Sequence, residues 1–485
     1  MELLVFLALV LVGFSVILQR RRSYSSAKRA RAPAPVVIQK IGDPAVVHRA
    51  LVENADDFSN RPLAPFLRYL AERNGGRRGE SLASVSHSPL WRAFRCNLTS
   101  ETLHPSRLGH LAPLQREGIE ALVASLSSSA AAAGEGAIPV REHLSDAVFP
   151  VIARLCFGDG VDGCHVRAMG SVIRSFQQIA VGEARASPGT LRARFAEWRR
   201  LRRLLALHGR LGELFLPLVA ARRESRGPCN GLRPYVDSLI DLRVPVDGDD
   251  GGGRRGVRDD EMVNLFSEFL GAGAGTIGAC LEWTLAHLVN RQDIQQKLRE
   301  EVDGGDVFRR SLIRGMPYLN AVVLESLRLH PLVPFMQRHV QADVAERVVG
   351  VGGTATVPAA AAAAAAGDVL VQFTLGDIGR DKNTWKDPDE FRPERFLPGG
   401  EAEDVGPLPG PREIRMVPFG AGHRFCPGSG VAMVNIKCFL AALVREFQWA
   451  PPTEDCAAVD LTELDTFIKT MKKPLSARLT PRVLL

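Results

Sequence analysis

Residues Pro418–Gly430 read PFGAGHRFCPGSG: a single cysteine, Cys426, between an arginine-bearing turn and a proline, with four glycines around it. The apolar, helix-like run Val431–Val444 follows at once. A thiolate that binds a metal without oxidising needs dipoles aimed at its sulfur, and a glycine-rich loop lets consecutive backbone N–H groups turn toward it. A helix starting just after the loop adds its positive N-terminal end. In this reading Gly420, Gly422, Gly428 and Gly430 supply the backbone freedom and Val431 onward the helix. Arg424 stands two residues before the cysteine, where its planar fork can pair with a carboxylate of a bound group. Taken alone, such a loop also reads as a structural turn.

The rest of the chain sets the frame. Its 485 residues, 46% of them apolar, are enough to bury a large core. The net charge of +7 comes from 61 basic and 54 acidic residues, with a basic cluster at Arg20, Arg21, Arg22, Lys28, Arg29 and Arg31. That cluster reads as juxtamembrane, and with no basic stripe interleaved with aromatics in view, nucleic acid is excluded as a partner. The eight cysteines (Cys96, Cys156, Cys164, Cys229, Cys280, Cys426, Cys438 and Cys456) form no C-x-x-C pair, which fits reduced thiols in the cytosol.

Leu3–Leu18 is an uncharged apolar run, and Gln19 then leads into three arginines. A cleaved signal peptide would carry basic residues before the run, whereas here Glu2 precedes it and the charges follow. The expectation is an uncleaved transmembrane anchor at 1–19, with the body on the cytosolic side. A basic hinge at 20–35, stiffened by Pro33 and Pro35, then leads into a domain at 36–485.

Helical periodicity dominates that domain, over Glu117–Leu126, Leu201–Ala221, Glu261–Asn290, Asp293–Val302, Tyr318–Leu329 and Val431–Phe447. Strand-like pieces are few, chiefly Val369–Phe373 and the tail around Thr466–Arg478. The fold class is therefore mainly α with small β-sheets. Val246–Gly256 and Pro398–Pro411 read as linkers or surface loops, and Ala359–Ala366 as a low-complexity insertion.

The order F-x-x-G-x-R-x-C-x-G is complete in Phe419, Gly422, Arg424, Cys426 and Gly428. It resembles the haem-binding signature of the cytochrome P450 family. The resemblance implies the P450 fold, one large haem-binding domain, with Cys426 as the proximal thiolate ligand of haem b, iron protoporphyrin IX. Glu325 and Arg328 in LESLRLHP, with Arg395 in FRPERF, resemble the family's Glu-Arg-Arg triad, which ties a helix to the segment leading into the cysteine loop. Trp91 and Arg95 in WRAFR match a W-x-x-x-R pattern and are implied propionate contacts, against a plainer reading as an anchoring Trp beside a solvated Arg. His339 stands where relatives carry a propionate-binding Arg or His. Glu268–Trp283, EFLGAGAGTIGACLEW, resembles the distal helix with its [A/G]-G-x-[D/E]-T pattern. Thr276 is present as the implied catalytic hydroxyl, but Gly275 replaces the acid.

Longer stretches are similar to the plant microsomal A-type group, family eighty-nine. Against it the chain lacks several dozen residues after Pro35, which implies a reduced N-terminal sheet. With no G-x-G-x-x-G nucleotide fold of its own, the resemblance implies electrons from NADPH through NADPH–cytochrome P450 reductase, docked near Lys437 and Arg412. It further implies a lipophilic substrate against Ala272, Ala274, Val333, Phe335 and Phe467, and an endoplasmic reticulum membrane location, where the sequon Asn97-Leu98-Thr99 stays unused. The expected activity is monooxygenation. The alternatives are a reductase-independent isomerase or dehydratase acting on a peroxide, and a haem-binding copy without catalysis.

Overall fold

The computed structural model describes residues 38–63, 65–73, 80–181, 190–225, 233–246, 252–303, 315–350, 354–355, 368–453, 458–464 and 468–482. The expected anchor and hinge, the alanine run, Phe467, Cys229 and Cys456 lie outside the described residues. The helices that position the site are α1 Pro89–Asn97, α2 Ala112–Ala133, α3 Arg141–Phe157 and α4 Gly163–Val181, then α5 Leu191–Glu224, α6 Asp259–Asn290, α7 Pro317–Leu329 and α8 Ser429–Glu446. All six periodic stretches read from the sequence are helical.

Helix α6, 32 residues and so about 48 Å long, runs through the middle of the molecule and packs on α3, α5 and α8. From Ile277 to Val289 its side chains are buried all round, the burial expected of a helix inside a large core. Helix α3 shows why periodicity misses some elements. From Ala147 on, the buried residues Ala147, Val148, Phe149, Ile152, Ala153 and Phe157 fall on every side of it, so no polar stripe marks its turn there, and Pro150 sits in its interior.

A four-stranded sheet forms in the order β2 (Phe335–Gln341), β4 (Asp368–Thr374), β1 (Ile38–Ile41) and β3 (Thr354–Ala355). Strand β1 pairs parallel to β4, with Ile38 opposite Leu370. Strand β1 is the contribution of the N-terminal segment to this sheet among the described residues. Within the stretch read as a linker at Val246–Gly256, Arg254–Gly256 is a strand paired antiparallel with Arg243–Pro245, and residues 247–251 lie outside the described residues. The sequon asparagine is buried: Asn97 donates to the Ser238 carbonyl at 3.2 Å and accepts from the Ser238 hydroxyl at 3.0 Å.

Candidate active site

The cysteine loop is a tight turn leading into α8. The Cys426 amide donates to the Phe419 carbonyl at 2.8 Å, and Phe425 N–H closes a turn onto Gly422 O at 3.1 Å. The amides of Gly428 and Ser429, at the start of α8, donate to the sulfur. Burial pushes the Cys426 thiol up, while those two amides and the charges of Arg95 and Arg61 pull it back. Of the four glycines, two are required. Gly420 and Gly422 have φ of +76° and +70°, and a Cβ on Gly422 would lie 2.2 Å from the Leu51 carbonyl oxygen. Gly428, with φ of −90°, and Gly430, inside α8, have ordinary backbone geometry, which corrects the expectation that all four supply freedom.

Three backbone carbonyls hold Arg424. Its Nε donates to Ser59 O at 2.8 Å, Nη1 to Leu82 O at 2.8 Å and Nη2 to Val85 O at 2.6 Å, and its guanidinium stacks 4.6 Å from the Trp91 ring. Burial and the nearby Arg61 charge bring its pKa down to about 10. Trp91 is committed as well, since its indole N–H donates to Leu82 O at 3.2 Å. These two residues clamp the 82–85 segment onto the cysteine loop. Arg95 is placed differently. Its Nη1 donates to Phe425 O at 2.8 Å, and its buried Nη2 has no partner among the described residues.

Strand alternation corrects His339. In β2 the side chain of His339 is exposed, while Arg338 is 1% exposed and faces inward with Val340. Arg338 Nε and Nη2 have no partner among the described residues. Burial, with the charges of Arg61 and Arg424, lowers its pKa to about 9. Period-two phasing with Met336 and Val340 was the signal that could have singled it out. Arg61 is a further residue that sequence reasoning missed. It retains accessible area, yet protein surrounds it closely enough that burial holds its pKa below the usual range, with Glu268 and Cys426 as the opposing charges. Its Nη2 donates to Arg424 O at 3.3 Å.

Four guanidinium groups thus converge beside one cysteine. Unpartnered buried cations are costly, and the donors on Arg95 and Arg338 need anionic acceptors. A group bearing two carboxylates and a thiolate-seeking iron fits this set, as haem b does.

The triad is assembled. Arg328 grips Glu325 with two bonds of 2.7 and 2.8 Å, and Arg395 Nε donates to Glu325 Oε1 at 3.2 Å; all three are buried. Arg328 also donates to Gly379 O and Pro388 O, both at 2.7 Å, so it pins the chain that leads toward the cysteine loop. Glu401, within a stretch read as a surface loop, closes the network by pairing with Arg395.

On the distal side Thr276 Oγ1 donates to Ala272 O at 2.6 Å within α6. Gly275 carries no side chain there, and the nearest foreign polar group is Gln177 of α4, whose amide donates to Gly271 O at 2.8 Å. Ala272 is exposed and Val333 and Phe335 are half-buried, but Ala274 is packed into the core at 7% exposure, contrary to its expected substrate-facing place. Gly273–Gly278 satisfies G-x-G-x-x-G spacing, but it lies inside a continuous helix without the strand and turn a nucleotide cradle needs. Lys437 is half-buried and Arg412 exposed.

The cytochrome P450 family profile matches residues 31–475, so the chain belongs to the cytochrome P450 family. It is an enzyme of that class, a P450 monooxygenase. It is 33% identical over 456 residues to cytochrome P450 89A9 of Arabidopsis thaliana, covering 91% of this chain and 84% of that one. Cytochrome P450 98A1 of Sorghum bicolor is 30% identical, covering 89% and 80%. A zebra fish cytochrome P450 solved with progesterone shares the fold at a TM-score of 0.69, with 21% identity over 92% of this chain and 94% of that one.

Proposed function

We propose that this chain inserts one oxygen atom of O2 into a lipophilic small molecule, using electrons from NADPH delivered by NADPH–cytochrome P450 reductase at an endoplasmic reticulum membrane, with the domain on the cytosolic face. The observation that carries the reading is the sulfur of Cys426, which receives two amide N–H groups beside arginines whose buried donors lack acceptors among the described residues. Haem b, when bound, supplies the redox iron chemistry of oxygen activation. Cys426 holds it through sulfur, and the amides of Gly428 and Ser429 restrain the charge on that sulfur. Arg61, Arg95 and Arg338 take its carboxylates, so Arg338 replaces His339 in that role. Thr276 holds a proton at Oγ1; turning it away from the Ala272 carbonyl frees the hydroxyl to pass that proton toward the substrate side. Ala272, Val333 and Phe335 form an apolar wall that favours a lipophilic ligand.

The test is the reduced carbon monoxide difference spectrum of the wild type beside Cys426→Ser, followed by NADPH consumption with reductase. The thiolate band should vanish in the variant. Coinciding spectra overturn the ligand assignment. A second reading, turnover of a peroxide without a reductase, is favoured by the bare Gly275 and the inward-bonded Thr276 hydroxyl. Product formation from an organic hydroperoxide in the absence of reductase and NADPH would select it.

A further inference from the structure

Away from the cysteine loop, α2, α3 and α4 enclose a groove of about 510 Å³, within the range of sites that take small molecules. Its floor is apolar: Phe149, Pro150, Val161 and Val166, with Gly170 above the Phe149 ring. A Cβ on Gly170 would stand 3.3 Å from Phe149 Cδ1, tight enough to press on that ring, so the glycine leaves room between the two helices. Pro150 sits inside α3 without an N–H, so the Asp146 carbonyl lacks its i+4 donor, and both residues line the groove.

The rim is charged. Arg154 pairs with Glu117 and, at 3.0 Å, with Asp159, while Arg174 pairs with Asp146 at 3.1 Å. All three acids are exposed, so water already solvates them and these pairs hold their arginines weakly. Three arginines and three acids balance over the whole rim but not locally, because Arg154 takes two of the acids. Arg167 has no acidic partner among the described residues; its Nη2 donates to Cys164 Sγ at 2.9 Å, and the rest of its fork stands at the edge of the groove. A guanidinium placed in this way matches a carboxylate. Arg174, beside Asp146, lies seven positions from Arg167, about 10 Å along α4, which sets the span between the two polar ends.

We propose that this groove is a second ligand site, for a small aromatic carboxylate. The ring system lies on the Phe149–Val166 floor, the carboxylate meets the Arg167 fork, and the Asp146 carbonyl accepts from a hydroxyl or N–H at the far end. The site is independent of the haem reading: its walls include nothing from the cysteine loop, from α6 or from the apolar wall at Val333 and Phe335.

The test irradiates the full-length, haem-loaded protein with the photolabel 4-(4-hydroxybenzoyl)benzoate and, in parallel, with 4-hydroxybenzophenone, which lacks the carboxylate. Labelled tryptic peptides are mapped by mass spectrometry. The expected result is saturable labelling by the acid of α3 between Asp146 and Arg154 and of α4 between Gly163 and Arg174, with weak labelling there by the neutral compound. Arg167→Gln, at an exposed position, should weaken groove labelling about ten-fold, the loss of one charge-assisted contact, and Arg167→Lys should restore part of it. Val161→Trp, which fills the groove from its loop, should abolish the labelling with melting temperature and haem content unchanged. Absence of groove labelling overturns the proposal, and label confined to α6 or to peptides around Val333 and Phe335 would show that the acid enters the active site alone. Groove labelling indifferent to the carboxylate, to Arg167→Gln or to Val161→Trp overturns it as well.

Discussion

The cysteine loop and the distal helix face the same site, but their sequences are held by different forces. Around Cys426 the backbone is over-determined: Gly422 is pressed against Leu51 O, three carbonyls hold Arg424, and the buried triad pins the chain that leads to the loop. On α6 between Gly271 and Gly278 the constraint is mostly packing, with the Gln177 amide bonded to Gly271 O at one end, and a Cβ at Gly275 or Gly278 would meet nothing closer than 3.6 Å. A region fixed by hydrogen bonds and sterics tolerates almost no substitution. One fixed by loose packing can drift, and the loss of the acid at Gly275 lies in the second kind.

The comparison breaks first at the triad. Arg328→Ala leaves the Glu325 carboxylate, itself without solvent exposure, short of its main partner. Removing one member of a buried pair costs about 3–5 kcal/mol, a large share of the ~5–15 kcal/mol that holds a domain. Expression should yield little soluble protein and no thiolate carbon monoxide band. Arg328→Lys should fail in the same way, because an ammonium cannot reach Glu325, Gly379 O and Pro388 O together. Normal haem content in either variant would show that the triad is not what fixes the proximal side.

Gly422→Ala comes next. The new methyl would overlap Leu51 O in a residue at φ +70°, so overpacking of about 1–3 kcal/mol adds to about 1 kcal/mol for the left-handed conformation. Gly428→Ala, with an ordinary φ and its nearest contact at 3.9 Å to the Cys426 sulfur, should cost far less. Melting temperature and haem occupancy of the two variants test the claim that only part of the glycine pattern is structural. Equal losses would refute it.

These residues also mark what could be read in advance. The loop, the triad and the long helices were legible because each leaves a local mark: fixed spacing around Cys426, i and i+3 charges at Glu325 and Arg328, a polar–apolar period in α7 and α8. The commitment of Arg424 to Leu82 O was not, because a hydrogen bond between segments 342 positions apart leaves no pattern in either one. His339 was chosen over Arg338 by resemblance to relatives. The alternation of β2, with Met336 and Val340 in phase with Arg338, carried the opposite message. The site's net cationic character was invisible for the same reason, since Arg61, Arg95, Arg338 and Arg424 come from four distant parts of the chain.

Arg338 gives a prediction whose sign depends on the cofactor. Without haem its buried guanidinium has two nitrogens unpartnered among the described residues, so Arg338→Met should stabilise the apoprotein by about 1–3 kcal/mol. With haem, the same change removes a charge-assisted contact and should speed haem loss to apomyoglobin, while His339→Ala leaves that rate unchanged. Thermal melts of the apo and holo forms, with haem-transfer rates, decide it. Destabilisation of both forms by Arg338→Met would mean that the arginine has a purely structural partner.

The smallest effect bears on the distal helix itself. A Cβ on Gly275 would lie 3.6 Å from Gln177 Oε1, an ordinary contact, so Gly275→Ala should stabilise α6 by up to about 1 kcal/mol, the helix cost of glycine relative to alanine. Gly273→Ala gains the same propensity but places its methyl 2.9 Å from Ile152 Cγ2, and the crowding should cancel the gain. A rise in melting temperature for Gly275→Ala with none for Gly273→Ala would show that packing sets what α6 tolerates across this stretch. Gly275→Asp then adds a carboxylate beside the Gln177 amide, within a helix that tolerates it, and should raise the fraction of NADPH electrons recovered in product. If Gly275→Ala instead lowers stability, the glycine is required by a conformation other than a straight helix. The missing acid would then be a structural adaptation of α6 and not drift.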